Sequence, residues 1–344
     1  MKTSTGLIMR KTAICFKSML KDKRIGYKRR KNMENHRMAV VGIGATGCVL
    51  AAALLDKYPE TVLVGHRAEQ GEILKKEGVN ISGALTLKGT VKNYRTQIGA
   101  LGHFNPTLIF LSTKTFHLKE VLEELENIYR PGMKIIPTQN GLGTEDLVAD
   151  RFGLEAVFRM SLNFGVSLKS PGVATAAFFN RPNHMGGFTQ KNRELGVQIA
   201  KMLTDCGLET DFVNDIKRYI WKKMIMKCTM ASICAITDLT IKEALDFPPT
   251  REIANACFQE AMAVSKAVGY NLGEDYLNQT LGYLDKVGSH KDSMCHDIEN
   301  KKPTEIDFLG GKIVDYGRAK GVPTPFYVAM TNLVKTFEEK YRKR

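Results

Sequence analysis

Apolar and polar positions follow two rhythms along the 344 residues. From residue 38 to 213, short apolar runs alternate with polar turns and amphipathic stretches. Met38–Val41 reads as a buried strand, followed by the apolar helix-like run Val49–Leu55. Thr61–Val64 reads as the next strand, and 68–78 as a helix. Residues 79–90, with Gly83 and Gly89, suit a hairpin or small strands. Pro106–Thr113 is a further buried run, 118–129 has helical spacing, and Lys134–Pro137 is another strand. Short β-like pieces follow Pro171 and Gly172, then a helix over 193–206 and a strand over 208–213. Strand–helix alternation of this kind predicts a parallel sheet covered on both faces. From Asp215 onward the rhythm changes. Helical patterns run through 215–236, 250–268, 274–286, 306–320 and 324–341, so 215–344 is expected to be an all-helical domain following an α/β domain over 38–214.

The first strand leads into a glycine turn, Gly42-Ile43-Gly44-Ala45-Thr46-Gly47. In the G-x-G-x-x-G pattern the first glycine allows a tight turn, the second lets the backbone approach a pyrophosphate, and the third packs helix against strand. The phosphates then meet free N–H groups at the helix N-terminus. With a strand before it and an apolar helix after it, the pattern predicts a doubly wound Rossmann sheet binding a dinucleotide. The second strand ends in Gly65-His66-Arg67, where NAD sites usually carry Asp or Glu for the ribose 2′-OH. An arginine there can pair with a 2′-phosphate, so NADPH/NADP is the expected cofactor. The other strand ends would carry Lys114 and Asn140 to the same edge of the sheet, where ligands bind in such folds.

Composition changes this picture at one end. Residues 1–37 hold 12 Lys and Arg against 2 Asp and Glu, whereas the remainder holds 38 against 34. The net charge of +14 therefore sits mainly in a basic tail over 1–37. That tail is expected to be unstructured and solvated; a targeting segment, or translation beginning at Met33 or Met38, would account for it equally. It lacks interleaved aromatic residues, so no nucleic-acid partner is expected. No apolar run reaches membrane-spanning length, so no membrane partner is expected either. Seven cysteines without a C-x-x-C pair fit reduced thiols in a cytoplasmic protein and no metal site.

Three helical-domain segments carry candidate chemistry. In Trp221-Lys-Lys-Met-Ile-Met-Lys227, Lys223 and Lys227 share a helix face, either as a solvated basic patch or facing an anion. Ser289-His-Lys-Asp-Ser-Met294 suits either helix capping or a bound carboxylate. Pro303-Thr-Glu-Ile-Asp307 suits a helix start, with Thr304 as cap and acids in its first turn.

Seven motifs in register give the chain its resemblance. They are Gly42-x-Gly-x-x-Gly47, Arg67, Ser112-Thr-Lys114, Gln139-Asn-Gly-Leu-Gly143, Trp221-Lys-Lys223, His290-Lys-Asp-Ser-Met294 and Pro303-Thr-Glu-Ile-Asp307. Over residues 38–335 the chain resembles the ketopantoate reductase (2-dehydropantoate 2-reductase) family. The resemblance implies a Rossmann domain joined to a helical domain with the active site between them. It implies that Lys223 is the proton donor, that Glu305 is the acid working beside lysine and cofactor, and that Ser293 binds substrate. Asn140 and Lys114 are implied to line the nicotinamide and substrate end, and Arg67 to select NADPH. We expect Glu305 to hold the Lys223 ammonium in position.

Two positions depart from the family. It usually has asparagines four and eight residues beyond the lysine, where this chain has Lys227 and Ala231. Lysine only donates hydrogen bonds, and alanine makes none through its side chain. Lys227 beside Lys223 is expected to form a repulsive pair that an anionic substrate relieves. The expected reaction is NADPH-dependent reduction of a 2-oxo acid to a 2-hydroxy acid, first 2-dehydropantoate to pantoate in pantothenate and coenzyme A synthesis. The alternatives are a different, dianionic 2-oxo acid, or an NADPH-binding regulatory protein without turnover. The partner is a small-molecule 2-oxo acid, and a homodimer is left open.

Overall fold

The computed structural model describes residues 33–342. Five parallel strands form the central sheet: β1 (Met38–Val41), β2 (Val62–Val64), β3 (Asn93–Arg95), β4 (Leu108–Leu111) and β5 (Lys134–Pro137). Their order is β3-β2-β1-β4-β5, with Val40 paired to Leu63 on one side and Phe110 on the other. Every residue of β1 and β4 is buried, as central parallel strands covered on both faces require. Chain order reverses between β1 and β4. Their C-terminal ends therefore open the crevice in which doubly wound folds hold ligands.

Helix α1 (Ala45–Lys57) explains why its sequence is apolar all round rather than on one stripe. One side lies on the central sheet. The other is covered by a four-stranded sheet made of Leu87–Gly89, Val79–Gly83, Val173–Phe179 and Phe164–Ser170. A Cβ on Gly89 would stand 2.7 Å from the Leu55 side chain, so the two layers meet closely. Phe164–Ser170 and Val173–Phe179 form an antiparallel hairpin, and Val173–Phe179 joins it to Val79–Gly83, some 90 residues earlier in the chain. A third sheet joins Thr210–Phe212, Asn183–Gly187 and Phe158–Ser161.

Helices dominate from Ile216 onward. Helix α2 (Ile216–Thr237) is capped by Asp215, whose side chain accepts from Arg218 N. Thirteen of its residues are buried, because α3 (Pro248–Ala267), α4 (Ser293–Glu299) and α6 (Pro325–Arg342) pack around it. Helix α5 (Gly310–Lys320) packs on α6. The expected α/β sheet and helical C-terminal part are both present. Lys223 lies where α2 faces the turn after β5, and Lys227, one helix turn on, faces the segment leading into α4.

The basic tail falls outside the described residues up to position 32. For 33–37 the expectation of an unstructured tail is corrected. Met33 is buried in the core, and Arg37 Nε donates to the Asn105 carbonyl at 2.7 Å. His36 Nδ1 meets Thr107 Oγ1 at 2.9 Å.

Candidate active site

The glycine turn is shaped by contacts that only glycine permits. Gly42 has φ +92°, and a Cβ there would lie 2.5 Å from Thr113 N. A Cβ on Gly47 would lie 1.9 Å from the Gly42 carbonyl oxygen. Beside Gly44 there is nothing within 4 Å. Two glycines are thus held by packing and the third borders open space, as close backbone approach by a ligand requires. Gly44 is the N-cap of α1, with no side-chain cap and no acid in the first turn. The first-turn N–H groups therefore face that space. At the same edge, the side-chain oxygens Thr115 Oγ1 and Gln139 Oε1 are buried without a hydrogen-bond partner among the described residues. An orphaned buried acceptor or donor is costly unless a ligand meets it. This cradle fits a dinucleotide, with Gly42, Ile43, Gly44, Ala45, Thr46 and Gly47 as its backbone.

Two side chains brace the turn that the sequence did not single out. Gln70 Nε2 donates to the Ile43 carbonyl at 2.9 Å, and Tyr94 Oη donates to the Arg67 carbonyl at 2.9 Å. They fix the glycine turn relative to the end of β2. The Arg67 side chain is exposed there.

Lys114, after β4, reaches across to the helical part. Its Nζ is 2.8 Å from Asp297 Oδ2 and 3.3 Å from Glu305 Oε2. Glu305 Oε1 also accepts from Thr115 N at 2.9 Å. Burial works against the Lys114 charge, but Glu305 and Asp297 outweigh it and raise its pKa. Burial likewise pushes the Asp297 carboxyl up despite Lys114. The expectation that Glu305 holds the Lys223 ammonium is corrected: its partners are Lys114 and the Thr115 backbone. Asp297 was missed, although it stands four residues after Ser293 and so shares a face with it on α4.

Lys223 is held by neutral oxygens instead. Its Nζ donates to Asn140 Oδ1 at 2.8 Å and to the Leu162 carbonyl at 2.5 Å. Desolvation, then the Lys227 and Arg159 cations, lower its pKa to about 7. A lysine so placed can both donate a hydrogen bond and give up a proton near neutrality.

Lys227, one turn on, has the opposite environment. Its Nζ lies 2.7 and 2.6 Å from the two Asp292 oxygens and 2.8 Å from Ser293 Oγ. The pair is largely buried, with side chains 15% and 7% exposed. The expected repulsion between the two cations is present, since Lys227 helps to lower the Lys223 pKa, but Asp292 already pairs with Lys227. An anionic substrate is therefore not needed to compensate Lys227, and the basis for a dianionic substrate goes. Asp292 also caps α4 by accepting from Met294 N at 2.9 Å. Ala231 is fully buried in the helical core. Thr304 Oγ1 accepts from Ile306 N at 3.3 Å, so it serves the start of a short 3-10 turn and not a long helix. Among the described residues no group of three or more His, Cys, Asp or Glu could hold a metal ion, and no helix is long and apolar enough to cross a membrane.

Two family models match this chain: Ketopantoate reductase PanE/ApbA over residues 38–189, and Ketopantoate reductase PanE/ApbA C terminal over 215–338. The chain belongs to the ketopantoate reductase family. The 2-dehydropantoate 2-reductase of Streptococcus pyogenes serotype M3 is 26% identical over 308 residues, covering 87% of this chain and 97% of that protein. The Pyrococcus horikoshii 2-dehydropantoate 2-reductase is 27% identical over 303 residues, covering 88% and 97%. The fold is similar to that of 2-dehydropantoate 2-reductase from Geobacter metallireducens GS-15, at 22% identity and TM-score 0.80 over 87% of this chain and 99% of that one. It is equally similar to D-mandelate dehydrogenase with NADH and anilino(oxo)acetate, at 22% identity and TM-score 0.80 over 89% and 99%. As a ketopantoate reductase family member the chain is an oxidoreductase acting on CH–OH groups, with a nicotinamide cofactor.

Proposed function

We propose that this family member reduces a 2-oxo acid to a 2-hydroxy acid with NADPH, and that 2-dehydropantoate is the first substrate to test. The observation that carries the reading is the placement of Lys223, hydrogen-bonded to Asn140 and the Leu162 carbonyl beside the cofactor edge of the sheet. The cofactor's chemistry at that edge is supply of a hydride to the carbonyl carbon. As negative charge develops on the carbonyl oxygen, Lys223 stabilises it and transfers a proton to it, then regains one from solvent. With a pKa of about 7, the ammonium is a stronger acid than an ordinary lysine, which favours that transfer. Asn140 aims the amine. Glu305 and Asp297 fix Lys114 at the mouth of the cleft, where Lys114 serves the nicotinamide or carboxylate end. Ser293 would bind the substrate through a hydroxyl that also accepts from Lys227. Arg67, exposed at the end of β2 with no acid among its strand-end neighbours Gly65 and His66, supports NADPH over NADH.

A second reading keeps the chemistry and changes the substrate. Lys227 is already engaged by Asp292 and Ser293, and Ala231 is buried, so neither supplies the polar contacts of an asparagine pair to a substrate hydroxyl. This favours a 2-oxo acid lacking that hydroxyl. NADPH oxidation by the purified chain against a panel of 2-oxo acids, with 2-dehydropantoate and hydroxyl-free analogues of equal size, separates the two. Turnover strongest with 2-dehydropantoate supports the first reading. Preference for the hydroxyl-free acids supports the second, and no turnover with any member rejects both.

A further inference from the structure

Arg159 lies in the strand Phe158–Ser161 and is 2% exposed, among the largest fully buried side chains described. Its neighbours along the strand are apolar, so nothing local in sequence explains a cation there. The structure does. Nη2 donates to the Gln139 carbonyl at 2.7 Å and to the Gly141 carbonyl at 3.2 Å, the two residues that flank Asn140. Nη1 donates to the Pro137 carbonyl at 3.0 Å and to the Met160 carbonyl at 2.7 Å. Nε donates to Glu145 Oε2 at 3.2 Å, and Glu145 is itself buried. From the other side Gly141 N meets Met224 Sδ at 3.1 Å, next to Lys223 on α2, and Leu142 N donates to the Phe308 carbonyl at 2.9 Å. Gly141 has φ +135°, a conformation open to glycine and rarely adopted by other residues, which allows the turn after β5 to bend between these contacts. The strand bearing Arg159 also leads directly into Leu162, the second oxygen on Lys223.

We infer that Arg159 is a positioning residue for reduction at this site, gripping the turn on both sides of Asn140 so that Asn140 and the Leu162 carbonyl converge on Lys223. The inference rests on the proposed role of Lys223. A buried guanidinium with five donors in a fixed fork is suited to gather several carbonyls at once, which lysine is not. Its charge also reaches Lys223. The charged groups around that amine are Lys227 on its own helix, compensated by Asp292 on the segment leading into α4, and Arg159 on the strand, compensated by Glu145. Glu305 and Asp297 face Lys114 instead.

The test pairs two substitutions of opposite charge effect with the pH profile of NADPH-dependent reduction. Arg159→Met removes the grip and the cation. It is expected to lower kcat by about 10²-fold, the scale of a small misplacement. It should also move the alkaline fall in activity upward by on the order of one pH unit, as loss of a like charge requires. Glu145→Gln keeps the four carbonyl contacts but uncovers the cation, so the fall should move downward with a smaller loss of kcat. Glu145→Gln gives the answer even if Arg159→Met does not fold. Arg159→Lys, which cannot span the carbonyls, should restore the profile more than the rate. If Arg159 only stabilises the fold, both variants lower the melting temperature and leave the pH profile in place, which overturns the inference. If Lys223→Met is as active as the unmodified chain, the proposed role of Lys223 fails first, and the two failures are thereby told apart.

Discussion

At the glycine-turn edge of the sheet, backbone shapes the cradle: a tight turn, an N-cap without a side-chain cap and the space beside Gly44, all within six consecutive residues. At the lysine face of α2, side chains shape the site, and their partners come from far along the chain. Lys223 is joined to Asn140 across 83 residues and Lys227 to Asp292 across 65, while Lys114 reaches Glu305 across 191. The first region is specified by local conformation and packing, the second by which charge finds which. Lys223 and Lys227 show the point within one helix turn. One is solvated only by neutral oxygens and acidified; the other is neutralised by a buried carboxylate. Identical side chains on one face thus end in opposite environments, one acidified among neutral oxygens and one held in an ion pair.

The largest expected effects fall on the lysine face. Lys223→Met should slow reduction by about 10²–10⁴ while leaving NADPH binding intact, the usual scale for a positioned acid. A titration of cofactor fluorescence beside steady-state rates separates the two effects. Asp292→Ala strands Lys227 in a largely buried place. Removing one partner of such a pair typically costs about 3–5 kcal/mol, read from urea unfolding. The double change Lys227→Met with Asp292→Ala should recover much of it. Equal stability of the single variant and the unmodified chain would show that the pair is better solvated than its geometry implies.

The glycine edge should respond in a different pattern. Gly47→Ala meets the Gly42 carbonyl and should lose roughly 1–3 kcal/mol of stability, as overpacked sites do. Gly44→Ala meets nothing in the protein, so it should keep its melting temperature and lose cofactor affinity. If both variants lose stability alike, the distinction between packed and ligand-facing glycines fails. Arg67→Ala should weaken NADPH binding by roughly 1.5–3 kcal/mol, the range for a hydrogen bond to a charged group, and leave NADH binding unchanged. Smallest is the effect at the start of the chain. Deletion through Arg37 removes Met33 from the core and the contacts of His36 and Arg37, so it should melt a few degrees below deletion of residues 1–32.

The same division governs what could be read from sequence. The parallel sheet, the dinucleotide turn and the helical C-terminal part were legible because strand runs, glycine spacing and helical periodicity are local signals. Phe164–Ser170 was missed although it forms a hairpin with the next strand, Val173–Phe179, because as a half-exposed edge strand it carries little apolar alternation. Lys223 and Glu305 could be picked out by resemblance, but the separate partners of each could not. Glu305 turns to Lys114 and Thr115, which lie some 190 residues away in sequence. Asp292 lay inside a quoted motif and was passed over, although an acid beside Ser293 was the visible counter-charge for Lys227. Arg159 left one clue, a lone cation in an apolar strand, without a hint of the carbonyls it would serve.

The central claim is that Lys223 delivers the proton, and the pH dependence of kcat/KM for NADPH-driven 2-oxo acid reduction tests it most directly. Only the protonated amine can donate, so kcat/KM should hold below the Lys223 pKa and fall about tenfold per pH unit above it. The fall should begin near pH 7, where burial, Lys227 and Arg159 place that pKa. In Lys223→Met the profile should be low and flat through the same range. A fall at the same pH in Lys223→Met, or an unmodified enzyme whose rate ignores pH through neutrality, would contradict the account.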